Sequence, residues 1–276
     1  LFCRYVRHRW LQAMLLAAVV MAGALGTFER NKVWQDEVTL YSDCVKKSPN
    51  KARAHDGLGI ALFKRGQLNE AVAWFNESLR QDPGFAPAHN NLGVALIRQE
   101  KFSQALYHFR EALRLLPGYV DALNNLNKLE NNLRIDAHIA EIESYLITHS
   151  SDPQSHCELA NLYFRRDRLD EAKVNYQKAL QLDPGHHRAL DGLAAVNALT
   201  GKYDEAISLF QQAIARQPQN PDTYFYVACI YAKQGKKSQA RSWLQRAVKL
   251  GYHDPQALKN GFDLKSLLRS KIGAEQ

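Results

Sequence analysis

The chain has 276 residues, of which 46% are hydrophobic and 23% charged, so its composition is that of a globular protein and excludes a disordered one. The formal net charge is +8, with basic residues concentrated at Arg4, Arg7 and Arg9 and between Lys233 and Lys249. This excess is spread too thinly to indicate nucleic acid, which we do not expect as a partner. The four cysteines form no CxxC pair, so neither a zinc site nor a disulfide framework is predicted.

Residues 10–28, WLQAMLLAAVVMAGALGTF, contain no charged side chain. As a helix this segment would be about 28 Å long, close to the thickness of the bilayer hydrocarbon. We therefore predict a transmembrane helix here, preceded by a basic cytoplasmic flank at residues 1–9, with the following region on the extracytoplasmic side. A cleaved signal peptide is the alternative, because Ala22 and Ala24 form an A-x-A-like cleavage site.

One pattern of small and bulky residues recurs every 34 residues along most of the chain. In the first copy it consists of His55, Leu58, Gly59, Leu62, Ala71, Phe75, Ser78 and Pro83. In the second copy the matching residues are His89, Leu92, Gly93, Leu96, Ala105, Phe109, Ala112 and Pro117. The same frame returns in residues 153–186, 187–220 and 221–254. Such regularity predicts a repeat protein.

The pattern resembles the tetratricopeptide repeat (TPR), in which two helices, A and B, pack through small side chains and a proline ends helix B. The resemblance covers about residues 33–270. It implies an all-α fold, a right-handed superhelical solenoid of antiparallel helix pairs, which the hydrophobic membrane helix would precede. Positions within a repeat are numbered from its first residue, so that residues 52 and 86 both hold position 1.

The repeat frame predicts the organisation of the chain. Residues 120–152 keep Leu123, Leu126 and Leu146 but lack a glycine turn, so they are predicted to form a degenerate repeat. The predicted segments are a half repeat resembling helix B at 33–51, TPR 1 at 52–85, TPR 2 at 86–119, degenerate TPR 3 at 120–152, TPR 4 at 153–186, TPR 5 at 187–220, TPR 6 at 221–254 and a C-terminal capping helix at 255–270.

The junction ERNKVWQDEVTLYSDCVKKSPNKARAHDGLG resembles the passage between the last membrane helix and the repeats in membrane glycosyltransferase-like proteins of the O-mannosyltransferase kind. In that family the chemistry lies in the membrane portion. The chain is therefore predicted either to be a membrane-tethered scaffold that binds a peptide or protein in its concave groove, or to be the non-catalytic, acceptor-binding tail of such an enzyme. The sequence contains no P-loop, HExxH or GxSxG motif, and we predict no catalysis and no cofactor.

The TPR resemblance implies that helix A lines the concave surface through positions 2, 5, 6, 9, 12 and 13. Asparagine is a mediocre helix former, so paired asparagines within helix A suggest a use outside the helix. Position-6 asparagines resemble the asparagine ladder of the repeat domain of O-GlcNAc transferase, which implies that they hold an extended peptide by its backbone. The alternative is that they are solvated consensus residues.

The predicted groove combines these asparagines with a basic rim. Asn90 and Asn91 hold positions 5 and 6 of TPR 2, and Asn124 and Asn125 hold the same positions of TPR 3. The complete predicted groove is Asn90, Asn91, Asn124, Asn125, Asn161, Arg98 and Lys128.

Two other sites are rejected. The carboxylate clamp of chaperone-binding repeats has lysine at position 5 and asparagine at position 9, where TPR 1 has Asp56 and Ile60. His55, His89 and His156 all hold position 4, but equivalent positions on stacked helices are on the order of 10 Å apart, too far for one metal ion. We predict that these histidines are packing residues and that the chain holds no metal. The sequence leaves the oligomeric state open.

Overall fold

The computed structural model describes residue 14, residues 16–28 and residues 34–253, and these residues form 13 helices and no β-strand. The described part of the chain is therefore all-α, as predicted. Helix α1 covers residues 16–28. The others are α2 (Glu37–Lys47), α3 (Ala52–Lys64), α4 (Leu68–Gln81), α5 (Ala86–Arg98), α6 (Phe102–Leu115), α7 (Val120–Thr148), α8 (Pro153–Arg165), α9 (Leu169–Leu182), α10 (His187–Leu199), α11 (Tyr203–Arg216), α12 (Pro221–Lys233) and α13 (Lys237–Lys249).

The chain divides into two compact units, Leu1–Asn131 and Asn132–Gln276. In the first unit α3 packs against α4, α5 packs against α6, and α2 packs against α3. In the second unit the packed pairs are α8 with α9, α10 with α11, and α12 with α13. Apart from α2 with α3, each of these pairs is a helix hairpin, in which the first helix corresponds to helix A and the second to helix B.

All five hairpins turn at position 15 with a backbone of positive φ. The φ angle is 80° at Gly66, 81° at Gly201 and 74° at Gly235. It is 60° at Glu100 and 63° at Asp167, which adopt the left-handed conformation without being glycine. A left-handed residue ends helix A and lets the chain return as helix B.

Residues 120–152, the predicted degenerate repeat, contain one helix in place of a pair. Helix α7 runs without interruption from Val120 to Thr148. Position 15 of this segment is Arg134, which continues the helix instead of turning with positive φ. The missing turn that the sequence revealed is thus replaced by continuous helix.

Buried and exposed side chains occur in both halves of α7. Leu123 in the first half is 45% exposed, because this segment has no helix B to cover it. The second half contributes four side chains to the core of the second unit, namely Ile135, Ile139, Ile142 and Leu146.

Close approach between helices A and B depends on small residues. Ala105 and Phe109 on α6 are fully buried. A Cβ added at Gly93 on α5 would lie 2.6 Å from Cε1 of Phe109, so only glycine fits this position without a shift of the ring. The phenylalanine therefore packs directly on the backbone of helix A.

The N-terminal predictions are only partly covered by the described residues. No helix among them combines the length and the apolar character needed to cross a membrane. The predicted transmembrane helix at 10–28 includes residues 10–13 and residue 15, which lie outside the described residues, as do the basic flank at 1–9 and the capping helix at 255–270.

Candidate peptide-binding surface

Four polar side chains form a continuous row across the A helices of the first unit. Asn91 Nδ2 on α5 donates to Asp56 Oδ1 on α3 at 2.9 Å. Asn90 Nδ2 donates to Asn91 Oδ1 at 3.4 Å, and Asn125 Nδ2 on α7 donates to Asn90 Oδ1 at 2.9 Å. We call Asp56, Asn90, Asn91 and Asn125 the polar row. These hydrogen bonds link helices α3, α5 and α7.

The polar row keeps hydrogen-bonding groups that its internal bonds do not use. Each asparagine Nδ2 carries two N–H groups, of which the row engages one. Within the described chain, Oδ1 of Asn125 accepts no hydrogen bond, and Asn91 and Asn125 are only half-buried. Both a donor and an acceptor are therefore available to a ligand.

Half-buried apolar side chains continue the surface beyond the polar row. Ile60 and Phe63 follow Asp56 at helical spacing on α3, and Val94 and Ile97 follow in the same way on α5. Residues three or four apart in a helix lie on one face, so these side chains share the face of the polar row. An extended peptide could pair its backbone with the amides and place its side chains on the apolar part.

The structure brings together only part of the predicted groove. Asn90, Asn91 and Asn125 lie in one row, whereas Asn124, Arg98 and Lys128 are exposed. Asn161 lies in the second unit, where its Oδ1 accepts from the Tyr176 hydroxyl at 2.6 Å. Whether any of these residues binds a ligand stays a prediction.

Sequence reasoning missed Asp56 as a member of the site, because it treated this residue only as a departure from the chaperone clamp. Asp56 is buried, with 6% of its surface exposed, and it accepts from Asn91, which lies 35 residues later. The sequence pattern that could have indicated this hydrogen bond is an acidic residue at position 5 of one repeat followed by an asparagine at position 6 of the next.

The glycines that interrupt the asparagine ladder have a steric cause. A Cβ added at Gly57 would lie 2.2 Å from Cε1 of Tyr41, and one added at Gly192 would lie 2.2 Å from Cζ of Tyr176. Gly57 and Gly192 both hold position 6, and each tyrosine holds position 24 of the preceding repeat. A tyrosine at position 24 therefore demands glycine at the next position 6.

Asparagine at position 6 occurs where the preceding ring is phenylalanine. Phe75 precedes the repeat of Asn91, and Phe109 precedes that of Asn125. Both phenylalanines are fully buried and pack on the glycine at position 8 of their own repeats, whereas the two tyrosine rings lie against position 6 of the next repeat. The packing of position 24 thus helps to decide which repeats can present an amide on the polar row.

Burial dominates the electrostatics around Asp56. It raises the pKa of the Asp56 carboxyl, and the hydrogen bond from Asn91 opposes this shift only in part. Burial also raises the pKa of the Tyr119 hydroxyl, with further contributions from the charges of Asp121 and Asp56. The carboxylate of Asp56 is thus held in an environment that disfavours its charge.

The position-4 histidines contact the preceding segment rather than a common ligand. The Nε2 atom of His55 lies 2.7 Å from the Pro49 carbonyl oxygen, and that of His89 lies 3.1 Å from the Pro83 carbonyl oxygen. His156 makes the equivalent contact at 3.0 Å. Among the described residues, no group of three or more histidine, cysteine, aspartate or glutamate side chains is placed to hold a metal ion.

The same histidines pair with position 23 of their own repeat. His55 stacks on Trp74 with ring centroids 5.5 Å apart, and His89 Nδ1 lies 2.9 Å from His108 Nδ1. Burial, with the charge of His89, lowers the pKa of His108 to about 4, so this ring is neutral at pH 7. These contacts fit packing of helix A on helix B.

Two open pockets lie beside position-4 histidines. The larger has a volume of about 600 Å³ and is lined by Glu143, Leu146, Ile147, His156, Leu159 and Lys178, among others. The second, of about 480 Å³, lies around His55 and Trp74 at the same repeat positions. Each lies next to an element that is not a regular helix pair, α7 or α2, and each lining includes a position-4 histidine and a glutamate.

Two buried cysteines offer no reactive thiolate. Burial raises the pKa of Cys157 and of Cys229 to about 12 in each case, so both thiols stay protonated at neutral pH. Burial therefore disfavours both thiols as nucleophiles in the native state.

Three family models match parts of the chain. Residues 135–251 match the middle TPR-like domain of cilia and flagella-associated protein 70, residues 59–100 match a TPR repeat, and residues 86–119 match the tetratricopeptide repeat. The chain contains tetratricopeptide repeats. No curated protein sequence matches it significantly.

Several solved structures are similar to the chain at low identity. YrrB, described as a TPR protein with an unusual peptide-binding site, is 18% identical, with a TM-score of 0.37 over 80% of this chain and 96% of that one. MamA is 16% identical, with a TM-score of 0.36 over 70% and 94%. The Cut9–Hcn1 hetero-tetramer of APC/C is 20% identical, with a TM-score of 0.43 over 88% and 46%. These likenesses are too distant to indicate what the chain binds.

Proposed function

We propose that this chain is a TPR scaffold that binds an extended segment of a partner protein along the polar row of its first unit. The observation that carries the proposal is the chain of hydrogen bonds from Asp56 through Asn91 and Asn90 to Asn125. An amide offers a donor and an acceptor together, which matches the two groups of a peptide unit. A function in binding therefore fits these residues better than catalysis.

The internal bonds of the row prepare it for this role. Because each amide is already held by a neighbour, it loses little side-chain freedom when a ligand binds. The unused N–H groups of Asn91 and Asn125 and the free Oδ1 of Asn125 would pair with the peptide backbone. Side chains of the peptide would contact the half-buried surface of Ile60, Phe63, Val94 and Ile97.

Replacing Asn91 and Asn125 together by alanine tests the proposal. We expect peptide affinity to fall by about 1 to 3 kcal/mol through lost hydrogen bonds. Alanine is the better helix former, but Asn91 and Asn125 satisfy Asp56 and Asn90 in the structure. We therefore expect a loss of stability of about 1 kcal/mol for each bond removed. Peptides selected by the wild-type chain from an immobilised library, calorimetry and thermal melts supply the measurements.

Asn127→Ala is the matched control, because Asn127 is an exposed asparagine on the same helix and lies outside both the polar row and the predicted groove. This variant should bind as the wild type does and should be slightly more stable, since alanine is the better helix former. If no library peptide is retained by the wild type, or if the double variant binds selected peptides with unchanged affinity, the proposed function is wrong.

We further infer that the repeats are tethered to a membrane through residues 10–28. The support is the uncharged composition of this segment and the preceding Arg4, Arg7 and Arg9, which favour a cytoplasmic N-terminus. The glycosyltransferase alternative rests on the junction sequence alone and stays a prediction.

Protease protection on membranes carrying the chain tests the tether. The repeats should be digested from the extracytoplasmic side and stay in the membrane fraction after washing at high pH. Release of the intact chain by the wash would contradict the tether. Repeats that resist a protease added on the extracytoplasmic side would contradict the topology. A mature N-terminus near Thr27 would support a signal peptide instead.

A further inference from the structure

We propose that Asp56 is the receptor for a primary ammonium group of the bound peptide, at the α3 end of the polar row. This inference rests on the proposed function and adds to it the chemistry that the partner must carry. It also gives the bound peptide a direction, because the charged end of the row lies on α3 and the neutral end on α7.

Asp56 is a buried carboxylate without a cation. Within the described chain no lysine or arginine lies within ion-pairing distance of it, although its burial makes an unpaired charge unfavourable. Lys64 and Arg65, at the other end of α3, are already paired with Glu37 and Asp36 of α2. Arg53 lies one turn before Asp56 but is exposed and does not contact it.

The second oxygen of Asp56 is available to a ligand. Its Oδ1 accepts from Asn91, whereas Oδ2 has no hydrogen-bond partner in the described part of the chain. A single available oxygen fits the point charge of an ammonium group better than the planar guanidinium of arginine, which prefers two carboxylate oxygens at once. We therefore expect a preference for lysine or for a free peptide N-terminus over arginine.

A metal ion is a poor alternative occupant. Asp56 is the only carboxylate of the polar row, and the other three members are amides bonded to one another. Divalent cations bind through several oxygen ligands or through combinations of nitrogen and sulfur ligands. The amides beside Asp56 instead match a peptide backbone, so the cation is expected to arrive on the peptide.

Asp56→Asn tests the inference in the full chain, because asparagine has the same shape and can still accept from Asn91 through Oδ1. The probes are library-selected peptides made in three forms, with lysine, with norleucine in its place, and with arginine, each with an acetylated or a free N-terminus. Wild type should prefer the ammonium-bearing form by about 10-fold or more, as expected for a charge-assisted hydrogen bond. Asp56→Asn should lose this preference and keep its affinity for the acetylated norleucine form.

Asp121→Asn is the matched control, because Asp121 is an exposed carboxylate of the same unit and lies outside the row. It should retain the preference, which separates a local contact from a general loss of negative charge. A comparison of lysine with the free N-terminus shows which source of ammonium the site takes.

Several outcomes would overturn the inference. They are an equal preference in wild type and Asp56→Asn, a loss of preference in Asp121→Asn as well, and binding of all peptide forms with one affinity. The last outcome would leave the proposed function standing, whereas retention of no peptide at all would remove both. Thermal melts show whether a lost preference is due to misfolding. Asp56→Asn removes a buried charge, so its melting temperature at neutral pH should be at least that of wild type.

Discussion

Gly192→Ala is expected to destabilise the second unit by about 3 kcal/mol, at the upper end of the range for overpacked cores. The new Cβ would lie 2.2 Å from Cζ and 2.6 Å from the hydroxyl oxygen of Tyr176. That ring is fully buried and its hydroxyl donates to Asn161, so it cannot move away without breaking both its packing and its hydrogen bond. Urea denaturation followed by circular dichroism measures the effect.

Gly118→Ala is the control for the general effect of replacing glycine by alanine. No heavy atom lies within 4 Å of a Cβ added at Gly118, so its stability should change by no more than about 0.5 kcal/mol. If Gly192→Ala proves as stable as wild type, Tyr176 is not held as the structure places it. The rule that a tyrosine at position 24 requires glycine at position 6 of the next repeat, which we call the size rule, would then fail.

That size rule shows what the sequence could and could not reveal about the candidate site. The repeat frame assigns Asn91 and Asn125 the same position in successive repeats, and the structure has them on α5 and α7, linked through Asn90. The repeat frame left the glycines Gly57 and Gly192 as unexplained gaps in a ladder. Their cause is a contact with a ring of the preceding repeat, and such pair contacts are not visible in the periodicity of one sequence.

The turns show a similar limit for the fold. Glycine at position 15 predicts the turns at Gly66, Gly201 and Gly235, since glycine adopts positive φ freely. Glu100 and Asp167 turn at the same position without glycine, so the absence of glycine at Arg134 did not by itself predict continuous helix. Tertiary packing overrides local propensity at such positions.

Asp56 shows why the chemistry of the site was harder to predict than its location. From the sequence alone, a carboxylate on the groove face of helix A is expected to be solvated. Its burial depends on Asn91 of the next repeat, which approaches it only in the folded hairpin array. The charged member of the row was therefore missed while its neutral members were found.

Arg134→Pro is expected to destabilise the chain by about 3 kcal/mol or more, because proline inside a helix removes a hydrogen bond and clashes with the preceding turn. Arg134 lies in the middle of the 29-residue helix α7. Arg134→Ala is the reference, since it removes the same side chain and keeps the helix. Urea denaturation of the two variants gives the difference in the free energy of unfolding.

Arg134→Gly decides between continuous helix and a turn. In a helix interior glycine costs about 1 kcal/mol relative to alanine, so the structure predicts that this variant is less stable than Arg134→Ala. If residue 134 instead turned with positive φ, as position 15 does in the five hairpins, glycine would relieve about 1 to 2 kcal/mol of left-handed strain and be the more stable of the two. The sign of the difference between glycine and alanine therefore tests α7 directly, and a more stable glycine variant would restore the helix pair that the repeat frame predicts.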